Sequence, residues 1–583
     1  MSKGNQALLV AAIDFGTTYS GYAFSFRHEF EQDPLKVCAS SWTTGSRVSI
    51  SLKTSSTILF KPNRQFDSFG FEAEDKYSDL ALDDEHRDWY YFRRFKMMLY
   101  SSKDVHRTSL IKDETGKELP AMEVFAAGIR YLKDHMMQSC TERMYGGDMN
   151  LHDIRWVLTV PAIWDDAAKQ FMREAALKAG IPGEYLKLAL EPEAASMFCR
   201  YLPVERMMGS ADKKITCFQP KSKYLVLDAG GGTVDITVHE VIQNGKLKEL
   251  YKANGGAWGG TTIDEAFMRF IQAITGEKVI LRFQEDHKDD FIDLLREFEI
   301  KKRTVKPDMD SKVTFKIPIT LHELYRDVND GEIRDAVRKI PTLEGKVTFA
   351  GDKMRVEADT VKALFAQTND TITKHLQNIL SLPVAQGISS ILMVGGFSES
   401  PMLRHAVETS FPNARVIIPH EAGLAVLKGA VIFGHDSNII TSRIAKFTYG
   451  LKCYSEFDPS IHPKERVIYN KCGGKEVRGS FSKLVEVGQS VSEIDQSKMM
   501  SYHPTDGESA FCIKLFASPK RDPIFVDEPE CISIGEVSVD CRDRHGKIGS
   551  ASVGLIFGGT ELEVRAVHNT TGEETKATFD FLE

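Results

Sequence analysis

Two stretches of the chain end an apolar run in an aspartate and follow it at once with a glycine turn. "LLVAAIDFGTTYSGYAF" (8–24) sets Asp14 ahead of Gly16, Thr17, Thr18 and Tyr19. "KYLVLDAGGGTVDITVHE" (223–240) repeats the plan with Asp228, then Gly230, Gly231, Gly232 and Thr233, and carries Asp235 on the return strand. Glycine lets backbone N–H groups approach phosphate oxygens because no Cβ blocks the way. A lone glycine triplet is most often a plain tight turn, but two matched turns, each headed by a carboxylate, are a poor fit to chance. A bare carboxylate would repel the phosphate. A hydrated divalent cation between Asp14 or Asp228 and the phosphate oxygens reverses that sign, so the pattern implies Mg²⁺. No Gly-Lys pair is followed by Ser or Thr and no G-x-G-x-x-G occurs, which removes the Walker and dinucleotide fingerprints as rivals.

Such hairpins need strands to hold them, and the surrounding sequence supplies strands and helices in alternation. The first 60 or so residues read as successive strands broken by Gly and Ser. Residues 65–150 are rich in charge and aromatics and then turn helical at "AMEVFAAGIRYLKDHMMQSCTERM". "IRWVLTVPAIWDD" is a strand ending at Pro161, and "AAKQFMREAALKAGI" is an amphipathic helix closed by Gly180. Strand followed by helix, repeated, is the signature of an α/β domain around a central sheet. From about residue 446 helical periodicity gives way to short strands such as "FCIKLFAS" and "CISIGEVSVD", which suggests a compact all-β domain beginning between 436 and 446.

At 583 residues the chain exceeds what one core usually organises, so two or more domains are expected. An apolar fraction of 42% and a charged fraction of 27% are those of an ordinary globular protein. A formal charge of -8 without a basic run argues against nucleic acid or an anionic membrane as partner. The nine cysteines are odd in number and form no CxxC pair, which fits buried thiols in a reducing compartment. The apolar run before Asp14 is too short for a secretory signal or a membrane span, so the expected location is cytoplasmic, and Asn569-Thr-Thr reads as an unused sequon.

The two hairpins resemble the first and second phosphate motifs of the actin, hexokinase and heat-shock ATPase superfamily. Within it the chain resembles the seventy-kilodalton heat-shock chaperone family: "GTTYS", "VLTVPAIWDDAAKQ", "LEPEAASM", "WGGTTIDEAF", "FEIKKRTV" and "ILMVGGFSESPML" stand in that family's order over residues 8–435. "EPEAA" and "LKGAVIFG" resemble most closely the family's divergent member-12 branch. The resemblance implies an α/β two-lobed, actin-like ATPase domain of duplicated ribonuclease-H-like halves at 1–440, with lobe I at about 1–215 and lobe II at about 216–440. It implies ATP or ADP with Mg²⁺ as cofactors. Carried over position by position, Gly16 to Tyr19 and Gly230 to Thr233 bind phosphate from opposite lobes. Asp14, Glu191, Asp228 and Asp235 hold the hydrated metal and, with Thr233, orient the attacking water. Glu299, Lys302, Arg303 and Lys306 lie at the ribose and adenine, and Gly395 and Gly396 close over the base. Lys96 in "FRRFKMML" aligns with the family's γ-phosphate lysine, with Arg93 and Arg94 as alternatives.

Some of these residues have plainer readings. Alone, Glu299, Lys302 and Arg303 would be an exposed, ion-paired helix face, and Glu191 a carboxylate at a helix start. Trp164 and Trp258 read as packing rather than ligand-stacking residues. The sequence also departs from the family: Glu399 stands where an adenine-stacking arginine is expected, Phe397 and Lys306 replace hydroxyl residues, and Glu421 only roughly matches a connecting aspartate.

Residues 441–583 resemble the chaperones' peptide-binding β-sandwich, as in "GTELEVRAVHNTTGEETKATFDF". The acidic-leucine linker is replaced by "HDSNIITSRIAKFTYG", and no C-terminal helical lid is expected, so extended peptides should leave quickly. The leading expectation is a slow Mg-ATPase of chaperone type that contacts protein or peptide clients, and co-chaperones, according to the nucleotide bound. A nucleotide-gated scaffold with negligible turnover is the alternative from another class, and a sugar-type kinase ranks below both.

Overall fold

Leu9–Phe15 is apolar except for Asp14 and buried along its whole length, so it must lie inside a sheet covered on both faces. In the computed structural model it pairs antiparallel with Tyr19–Phe26 and parallel with Ile154–Val160. The structure describes residues 7–43, 50–102, 104–143, 149–203, 207–208, 218–469, 473–492, 499–502, 509–542, 546, 548–556, 560–578 and 580–582. Leu186–Leu190 and Cys38–Ala39 extend this sheet at its two sides, and Thr54–Ser55 adds to the strand Tyr19–Phe26.

The second hairpin shows the same pairing. Lys223–Ala229 runs antiparallel to Val234–Val241 and parallel to Ile388–Val394, inside an eight-stranded sheet. Side chains alternate between the faces of a strand, and here the alternation decides where the aspartates go. Leu9, Ala11, Ile13 and Phe15 pack into a core outside the first sheet, whereas Val10 and Ala12 pack on its other face. Leu225, Leu227 and Ala229 likewise face an outer core of the second sheet, and Tyr224 and Val226 face inward. Val10, Ala12, Tyr224 and Val226 belong to one cluster, so the inner faces of both sheets share a core. Asp14 has the parity of Val10 and Ala12, and Asp228 that of Tyr224 and Val226. Both carboxylates therefore stand on the faces turned toward each other.

Two helices fill that shared core. Glu191–Tyr201 starts at the end of the strand Leu186–Leu190, with Pro192 preorganising its first turn and Glu191 and Glu193 suiting its positive end. It packs against Ala425–His435, which is buried nearly throughout, and both contribute to the shared cluster. On the outer side of the first sheet, the helix Asp166–Lys178 is capped by Asp165, whose side chain accepts from the N–H of Ala168 at 2.8 Å. Among the described residues no helix is long and apolar enough to cross a membrane.

Beyond His435 the described residues form strands and a single 3₁₀ turn, Lys464–Arg466. Thr448–Glu456 lies centrally in a five-stranded antiparallel sheet, and Ala551–Ile556 pairs within a four-stranded one. Leu451 and Leu515 from the first and Val553 and Ala566 from the second share a core. Ile440–Ile444, at the position expected for a boundary, pairs with Leu247–Gly256 on one side and Ser490–Val491 on the other. Hydrogen bonding thus continues across residue 440. The expected division near 215 lies outside the described residues. Cys140, Cys199 and Cys541 are buried free thiols, while Cys217 and Cys472 lie outside the described residues.

Candidate functional site

Between the two sheets opens a cavity of about 860 Å³, and both glycine hairpins line it. Asp14, Gly16, Thr17, Thr18 and Tyr19 enter from one side, and Asp228, Gly230, Gly231, Gly232 and Thr233 from the other. The two turns meet closely. A Cβ at Gly231 would overlap the Thr18 hydroxyl, and one at Gly232 would overlap Thr17 Oγ1 and the Met97 sulfur. Each glycine is thus the space into which a threonine of the opposite hairpin fits.

The carboxylates differ in their partners. Asp14 accepts from Lys53 Nζ at 2.6 Å and from Thr159 Oγ1 at 2.8 Å. Burial works to raise its pKa, but the ammonium groups of Lys53 and Lys96 outweigh burial and hold it below the ordinary carboxylate value. Glu191 accepts from Lys96 Nζ at 2.8 Å. Burial pushes Glu191 up to about 7, with Lys96 opposing and Asp14 and Asp235 reinforcing the shift. Among the described residues Asp228 has no such cation, and its Oδ2 is buried without a hydrogen-bond partner. Burial, then the carboxylates of Glu191, Asp235 and Asp14, hold Asp228 well above the usual range. A buried, unpartnered carboxylate oxygen is costly, and a cation is the group that relieves it.

Lys96, Arg93 and Arg94 all line the cavity. Lys96 is 3% exposed and sits between Glu191 and the face of Trp164, with Nζ 5.1 Å from the ring centre. Arg94, in the left-handed region at φ 52°, points to Asp264 with Nη2 at 2.5 Å from its carboxylate. Trp164 is 3% exposed, in keeping with a packing role, and Trp258 packs edge-on against His375.

Also on the cavity wall, Glu299 accepts from Lys302 at 2.6 Å and Arg303 at 2.7 Å, as their helical spacing predicts. Burial tends to raise the Glu299 pKa, but these two cations bring it below its usual value. The Arg303 guanidinium lies 5.4 Å from the Tyr19 ring centre. Gly395, Gly396 and Glu399 also line the cavity, Gly395 so close to the second hairpin that a Cβ there would overlap Asp228 Oδ1. Glu399 accepts from the Gly423 N–H at 3.0 Å and so pins a neighbouring loop, while Phe397 is buried. Glu421 is taken by Lys428 at 2.7 Å.

Three expected residues are not on the cavity wall. Asp235 stands directly opposite Asp228 across the second hairpin and so on the same face, but it is 1% exposed and accepts from the Ile163 N–H at 2.9 Å. Lys302 turns to Asp264 at 2.7 Å, and Lys306 lies past the end of its helix. Residues not singled out from the sequence do line it: Lys53, Glu74, Asp264 and Arg296. Arg296 reaches across to Glu74 at 3.3 Å and Asp75 at 2.8 Å, joining the helix Lys288–Lys302 to the helix Phe71–Leu82. An arginine and an acidic pair more than two hundred positions apart leave no local pattern in a sequence. Among the described residues no group of three or more His, Cys, Asp or Glu is placed to hold a metal ion directly.

Residues 92–471 match the family model described as Hsp70 protein. The chain is 33% identical to heat shock 70 kDa protein 12A of Mus musculus, across 100% of this chain and 93% of that one. It is 34% identical to heat shock 70 kDa protein 12B of Homo sapiens, across 98% and 91%. The chaperone protein DnaK of Mycoplasmopsis synoviae is 23% identical over 64% of this chain and 54% of its own length. With facing hairpins, the family's motif order and end-to-end likeness to two of its proteins, the chain belongs to the Hsp70 family.

Proposed function

We propose that the cavity binds ATP or ADP, phosphates between the hairpins and base toward Glu299, Arg303 and Gly396. One observation carries this reading: the interlocked glycine and threonine turns, with an unpartnered Asp228 oxygen buried beside them. That oxygen fits a cation, and the carboxylates of Asp228, Asp14, Glu191 and Asp235 would hold hydrated Mg²⁺ through water rather than directly. When bound, the metal would supply positive charge against the β- and γ-phosphates. The chain's own groups do the rest. Thr17, Thr18 and Thr233 orient the phosphates, Lys96 adds a fixed charge held by Glu191, and Asp228 and Thr233 face the attacking water.

In this reading residues 1–440 form a two-lobed ATPase domain of duplicated halves, and 441–583 a β-domain that contacts protein or peptide clients in the cytoplasm. Hydrolysis is slow. A scaffold that binds nucleotide with negligible turnover is favoured by one feature: Asp14 and Glu191 are already occupied by Lys53 and Lys96. Calorimetric titration with Mg-ATP, Mg-ADP and metal-free ATP tests the binding, with Mg-ATP and Mg-ADP both expected to bind. No heat of binding with any of the three would remove the nucleotide from this cavity. Turnover with and without an unfolded peptide separates the ATPase from the scaffold.

A further inference from the structure

We propose that Lys53 is a built-in counter-cation of the phosphate site: seated on Asp14, it cancels that carboxylate's charge toward a bound polyphosphate and lessens the need for divalent metal. The inference rests on the nucleotide reading above and deepens it.

The sheet register places the lysine. Asp14 stands directly opposite Gly21 in the first hairpin. On the far side of that strand Ser20 is in register with Thr54, so Gly21 stands beside Lys53. Asp14, Gly21 and Lys53 thus form a row across two strands and the residue that leads into a third, Thr54–Ser55, and the middle position has no side chain. The lysine stem crosses that gap: a Cβ at Gly21 would lie 3.1 Å from Lys53 Cγ and 3.3 Å from the Leu52 carbonyl oxygen. Nζ then meets Asp14 Oδ2 at 2.6 Å, inside the cavity wall.

Thr159 takes the other Asp14 oxygen, so both are engaged, whereas Asp228 Oδ2 has no partner among the described residues. The two matched aspartates therefore differ in kind. Asp14 arrives already neutralised and Asp228 does not. The Lys53 side chain is 17% exposed and that of Asp14 7%, so water screens the pair weakly. A metal ligated directly by Asp14 Oδ2 would have to displace this ammonium, so at Asp14 only contact through water is left to it. Lys53 acts through Asp14 and is a positioning residue.

The test is calorimetric titration of the full chain with ADP, in excess magnesium chloride and in excess EDTA, for the wild type, Lys53→Met and Lys53→Arg. The wild-type dissociation constant should weaken by less than about 10-fold in EDTA. Lys53→Met should bind about 10-fold or more weaker than wild type in EDTA, the scale of one charge-assisted contact, yet close to wild type in magnesium. Lys53→Arg, which keeps the charge, should track the wild type in both. A purely structural ion pair would weaken Lys53→Met equally in the two buffers, and that result overturns the proposal. A wild-type loss of about 10-fold or more in EDTA overturns it without any variant, should Lys53→Met fail to fold. Absence of ADP binding by the wild type in magnesium overturns the nucleotide reading itself, and this inference with it.

Discussion

At the scale of single residues, burial separates groups that chemistry would treat alike. His239 lies in the strand Val234–Val241, 1% exposed, and among the described residues neither ring nitrogen has a hydrogen-bond partner. Burial pushes its pKa from the usual 6.5 down to about 4. Between those values the unfolded chain takes a proton that the folded chain refuses, so this residue removes stability as pH falls from 6.5 to 4. Glu249 works oppositely, because burial raises it to about 7 and its folded form takes a proton first as pH falls. The two slopes partly cancel, and only a difference measurement isolates one. His239→Phe should therefore lose less stability than the wild type over that range, by on the order of 3 kcal/mol at most. Urea titrations at both ends of the range check it, and parallel losses would show that His239 does not titrate this way. Legibility at this scale follows the same division. Asp14 and Asp228 were readable because strand alternation and the adjacent glycines are local. Lys53 was not, because its link to Asp14 depends on the register of a two-residue strand, Thr54–Ser55, that no pattern announces. Asp235 and Lys302 were readable as members of motifs, but which neighbour each side chain bonds, the Ile163 N–H or Asp264, is settled by packing.

At the scale of elements, the crossing of Glu191–Tyr201 and Ala425–His435 fixes the distance between the two sheets, since both helices lie in the core those sheets share. The crossing is close because Gly429 has no side chain: a Cβ there would overlap the carbonyl of Ala194. In an ordinary helix interior Gly→Ala gains up to about 1 kcal/mol from propensity. Here the new methyl meets backbone, which cannot rotate away, and overpacking of that sort costs about 1–3 kcal/mol or more. Gly429→Ala should accordingly destabilise by roughly 2 kcal/mol, a sign opposite to propensity, read from the urea midpoint at unchanged m. A stabilised variant would mean that the helices separate without cost. The sequence showed both segments through "EPEAA" and "LKGAVIFG", and it showed the strand nature of the region after 446. It did not show that Ala425–His435 packs between the sheets, since a helix apolar on all sides declares that it is buried but not against what.

At the scale of the whole molecule, the C-terminal sheets are held to the rest by ion pairs of unequal strength, and burial ranks them. Arg107 joins Glu174 and Asp580 with side chains 42%, 24% and 41% exposed, so solvent screens the contact and its removal should cost less than about 1 kcal/mol. Arg443 joins Glu193 at 2.7 Å with side chains 12% and 2% exposed. It projects from Ile440–Ile444, the strand that pairs with the eight-stranded sheet's Leu247–Gly256 and with Ser490–Val491 beyond it. Deleting Arg443 strands a carboxylate in the helix Glu191–Tyr201, and breaking a buried pair from one side costs about 3–5 kcal/mol. Arg443→Ala should thus lower stability several times more than Arg107→Ala. Replacing both partners, Arg443→Met with Glu193→Met, removes the stranded charge and should recover most of the loss. Urea unfolding of the four proteins decides it. Equal small losses for the two single variants would place the hold on the C-terminal region elsewhere, in the apolar contacts around Tyr449 and Leu451 rather than in the charge that Ile440–Ile444 carries to the helix beneath the cavity.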